Sequence, residues 1–184
     1  CGHVYDFMRG HSGYYYFLTE EAEFIVPTLD TFPRCDIYPY TAADDMYRDI
    51  YLTGVMGQQG LEGLMEEFVQ YINSLMVAFA LTEFFDQSHR YSERDGILTH
   101  MLWVEYYLKH AREVETGVWD ALSKSAPWRE FILTAWARAE FALSLTENAY
   151  HLGINDAVLQ SRVVDPDLME NLAVLRDLHC GESR

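Results

Sequence analysis

Between Thr41 and Gly181, apolar residues return every three or four positions, the period of a helix with one buried face. The first 40 residues lack that period. HVYDFM and YYYFL are runs of β-formers around the turn-like RGHSG, which predicts a short β-hairpin. Thr19 to Ile25 reads as a further helix or extended piece. VPTLDTFPRCDIYPY follows as an irregular surface segment, punctuated by Pro27, Pro33 and Pro39.

The helical part divides at its polar breaks. Thr41 followed by Asp44 is a capping-box variant, opening a helix that runs to about Val55, before the glycines of GVMGQQG. A second helix is predicted over Leu61–Phe85. Its second half is apolar nearly all round, the mark of a central helix. A third covers Glu93–Leu122, capped by Ser92, with Met101, Val104, Leu108, Ala111, Val118 and Leu122 near a heptad seam. A fourth starts at Ser125, with Pro127 in its first turn, and runs to about Leu152, with Gly153 as its terminal cap. Ala157–Gln160 reads as a short helix. In the last helix Asp165 is the cap, Pro166 the first residue, Leu168, Leu172 and Leu175 the inner face, and Gly181 the end. The pair of helices across SKSAP resembles a helical hairpin, without tetratricopeptide spacing. The expectation is one all-α domain over 1–184: a bundle of four or five main helices at 41–180, carrying an aromatic N-terminal arm at 1–40.

Charge narrows the partners. With 13 Lys and Arg against 29 Asp and Glu, the net charge is −16, so duplex nucleic acid and anionic membrane surfaces are not expected partners. An acidic face docking a basic protein, or plain solubility, accounts for it. FVQYINSLMVAFALT, Phe68 to Thr82, is too short and too polar for a membrane span. With no secretory or transit signal read at the start, a soluble protein is expected, with the cytoplasm favoured. Cys1, Cys35 and Cys180 make neither a disulfide framework nor a CxxC zinc pair.

Candidate chemistry falls into a few constellations. Asp44, Asp45 and Asp49 in TAADDMYRDIY resemble the diphosphate–Mg²⁺ motif of isoprenoid synthases, which implies a bound metal diphosphate there. By helix physics alone they are first-turn acids favoured by the dipole. His100, Glu105, His110, Glu147 and His151 are candidate metal ligands for a carboxylate–histidine site on the long helices, oxygenase-like in chemistry. Glu140, Ser144, Glu147 and His151 equally form one polar stripe. Arg138 falls opposite that stripe on an apolar face. There it needs an anion, whether Glu83, Glu105 or an anionic ligand. Trp103 and Trp136 are candidate walls of a small-molecule pocket, although aromatics also fill cores and interfaces. There is no GxSxG, P-loop or GxGxxG.

The start itself, CGHVYDFMRGH, offers Cys1, His3, Asp6 and His11. Cys1–Gly2 resembles the N-terminal-nucleophile glutamine amidotransferases, implying an amine-activated thiol. A leading cysteine also resembles a mature bacterial lipoprotein. A free amine, two amides and His3 would suit square-planar copper or nickel, and a trimmed edge needs no chemistry at all. If HVYDFM is a strand, Asp6 faces away from Cys1 and His3.

The functional expectation is a non-catalytic acidic helical protein acting through protein–protein contacts, as subunit, adaptor or chaperone-like binder, with a protein partner or a second copy of itself. The alternatives are a metal-dependent bundle enzyme and a bundle binding a small ligand. No cofactor is specified by the sequence.

Overall fold

The computed structural model describes residues 14–17, 22–45, 47–86 and 88–181. The chain is an all-α bundle, with one small hairpin among the described residues. The hairpin joins β1 (Tyr14–Phe17) to β2 (Ala22–Ile25) antiparallel, with Tyr14 opposite Ile25 and Phe17 opposite Ala22. The expected strand HVYDFM lies outside the described residues. Strand pairing instead uses the stretch that sequence left between helix and extended chain. Alternation explains it: Tyr15 and Phe17 are buried, while Glu23 and Ile25 face solvent.

The arm is tied down along its length. Tyr15 stacks on Phe131 with ring centroids 4.2 Å apart, and its hydroxyl donates to the Glu62 carbonyl at 3.1 Å. The Trp128 indole donates to the Pro27 carbonyl at 2.7 Å. The proline-rich segment then forms a 3-10 turn over Arg34–Tyr40, with Arg34 and Ile37 buried.

The helix expected over Thr41–Val55 is broken into two single turns, α1 (Arg48–Tyr51) and α2 (Gly54–Gly57). Thr41 does not cap forward; its hydroxyl donates back to the Tyr38 carbonyl at 2.7 Å and closes the preceding turn. Asp45 turns inward instead of decorating a first turn. Gly54, at φ 56°, then redirects the chain in a conformation that side chains with a Cβ resist.

Helix α3 (Leu61–Ala80) stops five residues short of Phe85, and a 3-10 turn over Thr82–Phe84 follows. Its inner face is Leu61, Leu64, Met65, Phe68, Val69, Ile72 and Leu75. Its last turns are not surrounded: Val77 and Leu81 are exposed. The central helix is α4 (Glu93–Glu113), buried without interruption from Arg94 to Glu105. It packs against α3, the Arg34–Tyr40 turn, α5 (Thr116–Lys124), α6 (Ala126–Leu145), α7 (Asp156–Val163) and α8 (Pro166–Gly181). Trp103 and Tyr107 on α4, with Trp128 and Phe131 on α6, are fully buried, each worth roughly 1.5–3 kcal/mol of transfer free energy.

The expected Glu93–Leu122 helix breaks at Val114–Glu115. The heptad seam holds across the break in all but Val118, which is half-buried. The fourth helix ends at Leu145 rather than Leu152, and Gly153 is extended (φ −135°, ψ 144°) after a 3-10 turn at Tyr150–Leu152. Asp165 is a cap as expected, accepting the Asp167 amide at 2.9 Å. Among the described residues no helix is long and apolar enough to cross a membrane.

Candidate functional site

The five expected metal ligands are separated. His100 is fully buried on α4, where its Nδ1–H donates to the Gly96 carbonyl at 2.8 Å. That bond fixes the tautomer, since a carbonyl only accepts. Tyr71, Trp103 and Tyr51 wall the ring at centroid distances of 4.6, 4.9 and 5.6 Å. Burial pulls its pKa down to about 3, so the imidazole is neutral. Its Nε2 and the Nη1 of buried Arg34 both lack a partner. The Arg34 guanidinium lies 5.7 Å from the Tyr51 ring centroid and donates to the Met56 carbonyl and to Gln59 Oε1, both at 2.8 Å.

Glu105 is also fully buried, with neither carboxyl oxygen bonded. Desolvation, with help from the Asp165 charge, pushes its pKa up to about 9, and it is a neutral acid at pH 7. His110 Nδ1 pairs with the Tyr40 hydroxyl at 3.0 Å, and His151 Nε2 with Thr82 Oγ1 at 2.7 Å. Glu147 is exposed just beyond α6. Helical phase explains much of the dispersal: Glu105 stands five residues from both His100 and His110, about 140° away around the helix. Among the described residues no group of three or more His, Cys, Asp or Glu is placed to hold a metal ion.

The three expected pocket residues do not converge either. Trp103 is fully buried, its indole donating to Asp45 Oδ2 at 2.9 Å. Trp136 is buried on α6 and donates to Glu140 Oε1, one turn along, at 3.1 Å. Arg138, two residues from Trp136 and so roughly 200° around the helix, is half-buried and not a lone charge. Cys1, His3, Asp6 and His11 lie outside the described residues. Cys35 and Cys180 are free thiols.

Two groups with no sequence signal join the ends of three helices. Buried Arg94 donates to Asp156 Oδ2 at 2.8 Å, the Leu143 carbonyl at 2.8 Å and Thr146 Oγ1 at 2.6 Å. Asp95 accepts the Ile154 and Asn155 amides, both at 2.8 Å, and so orders the start of α7. Their partners lie 49 to 62 residues on, beyond any local pattern.

The exposed surface has its own feature at the end where α3 and α6 finish. Val77, Leu81 and Phe84 follow one another at helical spacing, and Phe84 is 78% exposed. On α6, Phe141 and Leu145 stand one turn apart, both exposed, and Tyr150 follows at 69%. Two bonds bring the two chain turns together, and a ring contact packs the first of them. Thr82 meets His151 as above, the Tyr91 amide donates to the His151 carbonyl at 2.7 Å, and Phe85 lies 4.8 Å from Tyr91. The flanking acids Glu83, Asp86 and Glu147 are exposed. Arg90 gives its guanidinium to the Tyr150 and Gly153 carbonyls at 2.7 and 3.0 Å, and His89 faces Asp86 at 2.8 Å. The surface is therefore apolar with an acidic edge. Large apolar side chains left exposed on neighbouring elements are the material of contact surfaces.

Compared with protein-family models, with curated proteins and with solved structures, the chain matches none of them.

Proposed function

We propose that the chain is a protein-binding module, docking an apolar segment flanked by Lys or Arg against the end of the bundle formed by Val77, Leu81, Phe84, Phe141, Leu145 and Tyr150. The observations that carry this reading are the exposed line Val77–Leu81–Phe84 and exposed Phe141 and Leu145 on the helix packed against it, with Thr82 and His151 bonding the two following turns. An aromatic ring left in water at 78% exposure gains roughly 2 kcal/mol when a partner covers it. The acidic edge, and the −16 charge behind it, favour a basic partner and speed its approach at low salt.

Position-specific photo-crosslinking tests the reading. A photoreactive phenylalanine replaces Phe84 in one sample and Glu130, exposed in the first turn of α6, in another. In host-cell extract the Phe84 position captures discrete protein adducts that fade in high salt and vanish when Leu81→Asp is added. The Glu130 position does not. Equal labelling from both positions, or adducts indifferent to Leu81→Asp, refutes the proposal. Because Leu81 is exposed, its change leaves the melting temperature within a degree or two.

A further inference from the structure

A second feature runs along the side of the bundle. Helices α6 and α7 both pack on α4, and between them lies a groove of about 340 Å³. Its floor is apolar: Leu98 and Met101 from α4, Leu143 from α6 and Val163 from α7, all buried. The α7 wall carries no charge; Gln160 and Val164 line it. The α6 wall is polar and acidic. Glu140, Ser144 and Glu147 line it, and all three are exposed. Steps of four and three residues bring them to one face of the helix and the turn that follows it, and set the two carboxylates about 10 Å apart along the axis.

Nothing in the lining neutralises these two acids. Arg94, the one cation among the lining residues, is buried and already paired with Asp156 at 2.8 Å, and it gives further bonds to the Leu143 carbonyl and Thr146. Glu140 Oε1 accepts the Trp136 indole at 3.1 Å, a neutral donor that leaves the negative charge in place. Among the described residues neither Glu140 nor Glu147 makes an ion pair. The groove therefore offers two unmatched carboxylates at its rim and an apolar strip between them.

We propose that this groove binds a linear diamine, one ammonium group on Glu140, the other on Glu147, and the hydrocarbon chain lying over Leu98, Met101 and Leu143. Charge and shape together select the class. Two carboxylates two turns apart match two cations at that separation, and the apolar floor favours a link of methylene groups over a polar one. The ammonium on Glu147 has further donors for the Ser144 hydroxyl three residues back. In its staggered, extended form 1,7-diaminoheptane sets its nitrogens at about the spacing of the two glutamates. The site shares Glu147 with the acidic edge of the apolar end. It does not rest on the protein-binding reading, because the diamine needs neither Phe84 nor Phe141.

Titration of the ¹⁵N-labelled chain with 1,7-diaminoheptane tests this, beside two controls. One is 1-aminoheptane, which keeps the chain and loses a charge; the other is 1,3-diaminopropane, which keeps both charges and is too short to bridge. Saturable shifts of the Leu143, Ser144 and Gln160 amides are expected with the long diamine, and weaker binding with each control. Glu140→Gln and Glu147→Gln each weaken the long diamine by about twofold to fivefold, the scale of one exposed ion pair. Glu130→Gln, exposed near the start of α6 and away from the groove lining, leaves its affinity unchanged. All three changes are at exposed positions, so the variants melt within about a degree or two of the parent. Absence of saturable shifts, equal affinity for 1,3-diaminopropane, or an equal loss in Glu130→Gln overturns the proposal.

Discussion

Replacing Glu105 by methionine stabilises the fold, and by an amount that depends on pH in a defined way. The carboxyl is fully buried with both oxygens unbonded, and its pKa rises from an ordinary 4.5 to about 9 on folding. Between those values the native state holds a proton that the unfolded chain has released. Stability from this group is therefore fully present below pH 4.5 and is lost as pH climbs towards 9. At about 1.4 kcal/mol per pH unit, the interval from 4.5 to pH 7 corresponds to at most about 3 kcal/mol. His100 works in the opposite direction. Its pKa falls from 6.5 to about 3, so its contribution is complete above pH 6.5 and is lost as pH falls to 3. Between pH 4.5 and 6.5 the two slopes oppose each other in the parent protein, and above 6.5 Glu105 acts alone. Urea unfolding at several pH values, on parent and variant together, cancels the His100 contribution and isolates Glu105. The gap between the two proteins widens from pH 5 to pH 8 in favour of Glu105→Met, while their difference at pH 4 is that of packing and of burying a neutral, unbonded carboxyl. A gap that stays constant across that range refutes the neutral-acid assignment.

Arg94→Ala destabilises by about 3–5 kcal/mol, because Asp156, the Leu143 carbonyl and Thr146 lose one shared donor; urea midpoints measure this. Arg94→Lys recovers little, since an ammonium cannot reproduce the guanidinium fork, and a lysine variant of parental stability contradicts the account. Gly96→Ala lowers the melting temperature although alanine is the better helix former. The added Cβ lies 2.2 Å from two Tyr71 ring carbons, and displacing that ring costs about 1–3 kcal/mol against a propensity gain of at most about 1. A melting temperature that rises in Gly96→Ala shows that the ring yields freely.

Sequence pattern reached the bundle because its information is local. The Asp165–Pro166 start of α8 was readable: aspartate accepts the Asp167 amide, and proline fits a first turn where no amide bond is needed. Thr41 and Asp44 carried a similar signature and failed, because the hydroxyl found the Tyr38 carbonyl behind it first. The sequence sets Glu83 and Glu105 among apolar residues and His100 beside the Met101/Val104 seam; Glu105 and His100 are buried, and Glu83 is exposed. The five-residue spacing already sets His100 and Glu105 about 140° apart around the helix. The second half of α3 misled in the other direction. FALTEF looks like core, yet Leu81 and Phe84 point outward. Periodicity locates an apolar face without saying whether another part of the same chain covers it. The Arg94 and Asp95 bonds, and the groove between Leu98, Glu140 and Gln160, are set by residues brought together over long separations.

The bond from the Trp128 indole to the Pro27 carbonyl spans 101 positions of the chain. During synthesis the hairpin is made before α6, which carries Trp128 and Phe131. Until then Tyr15 and Phe24 have no Trp128 or Phe131 to meet, and closing so long a loop adds an entropic barrier that local helix formation does not carry. The arm is thus a late arrival in folding despite being an early arrival in translation. Its seating therefore waits on a helix residue made 101 positions later.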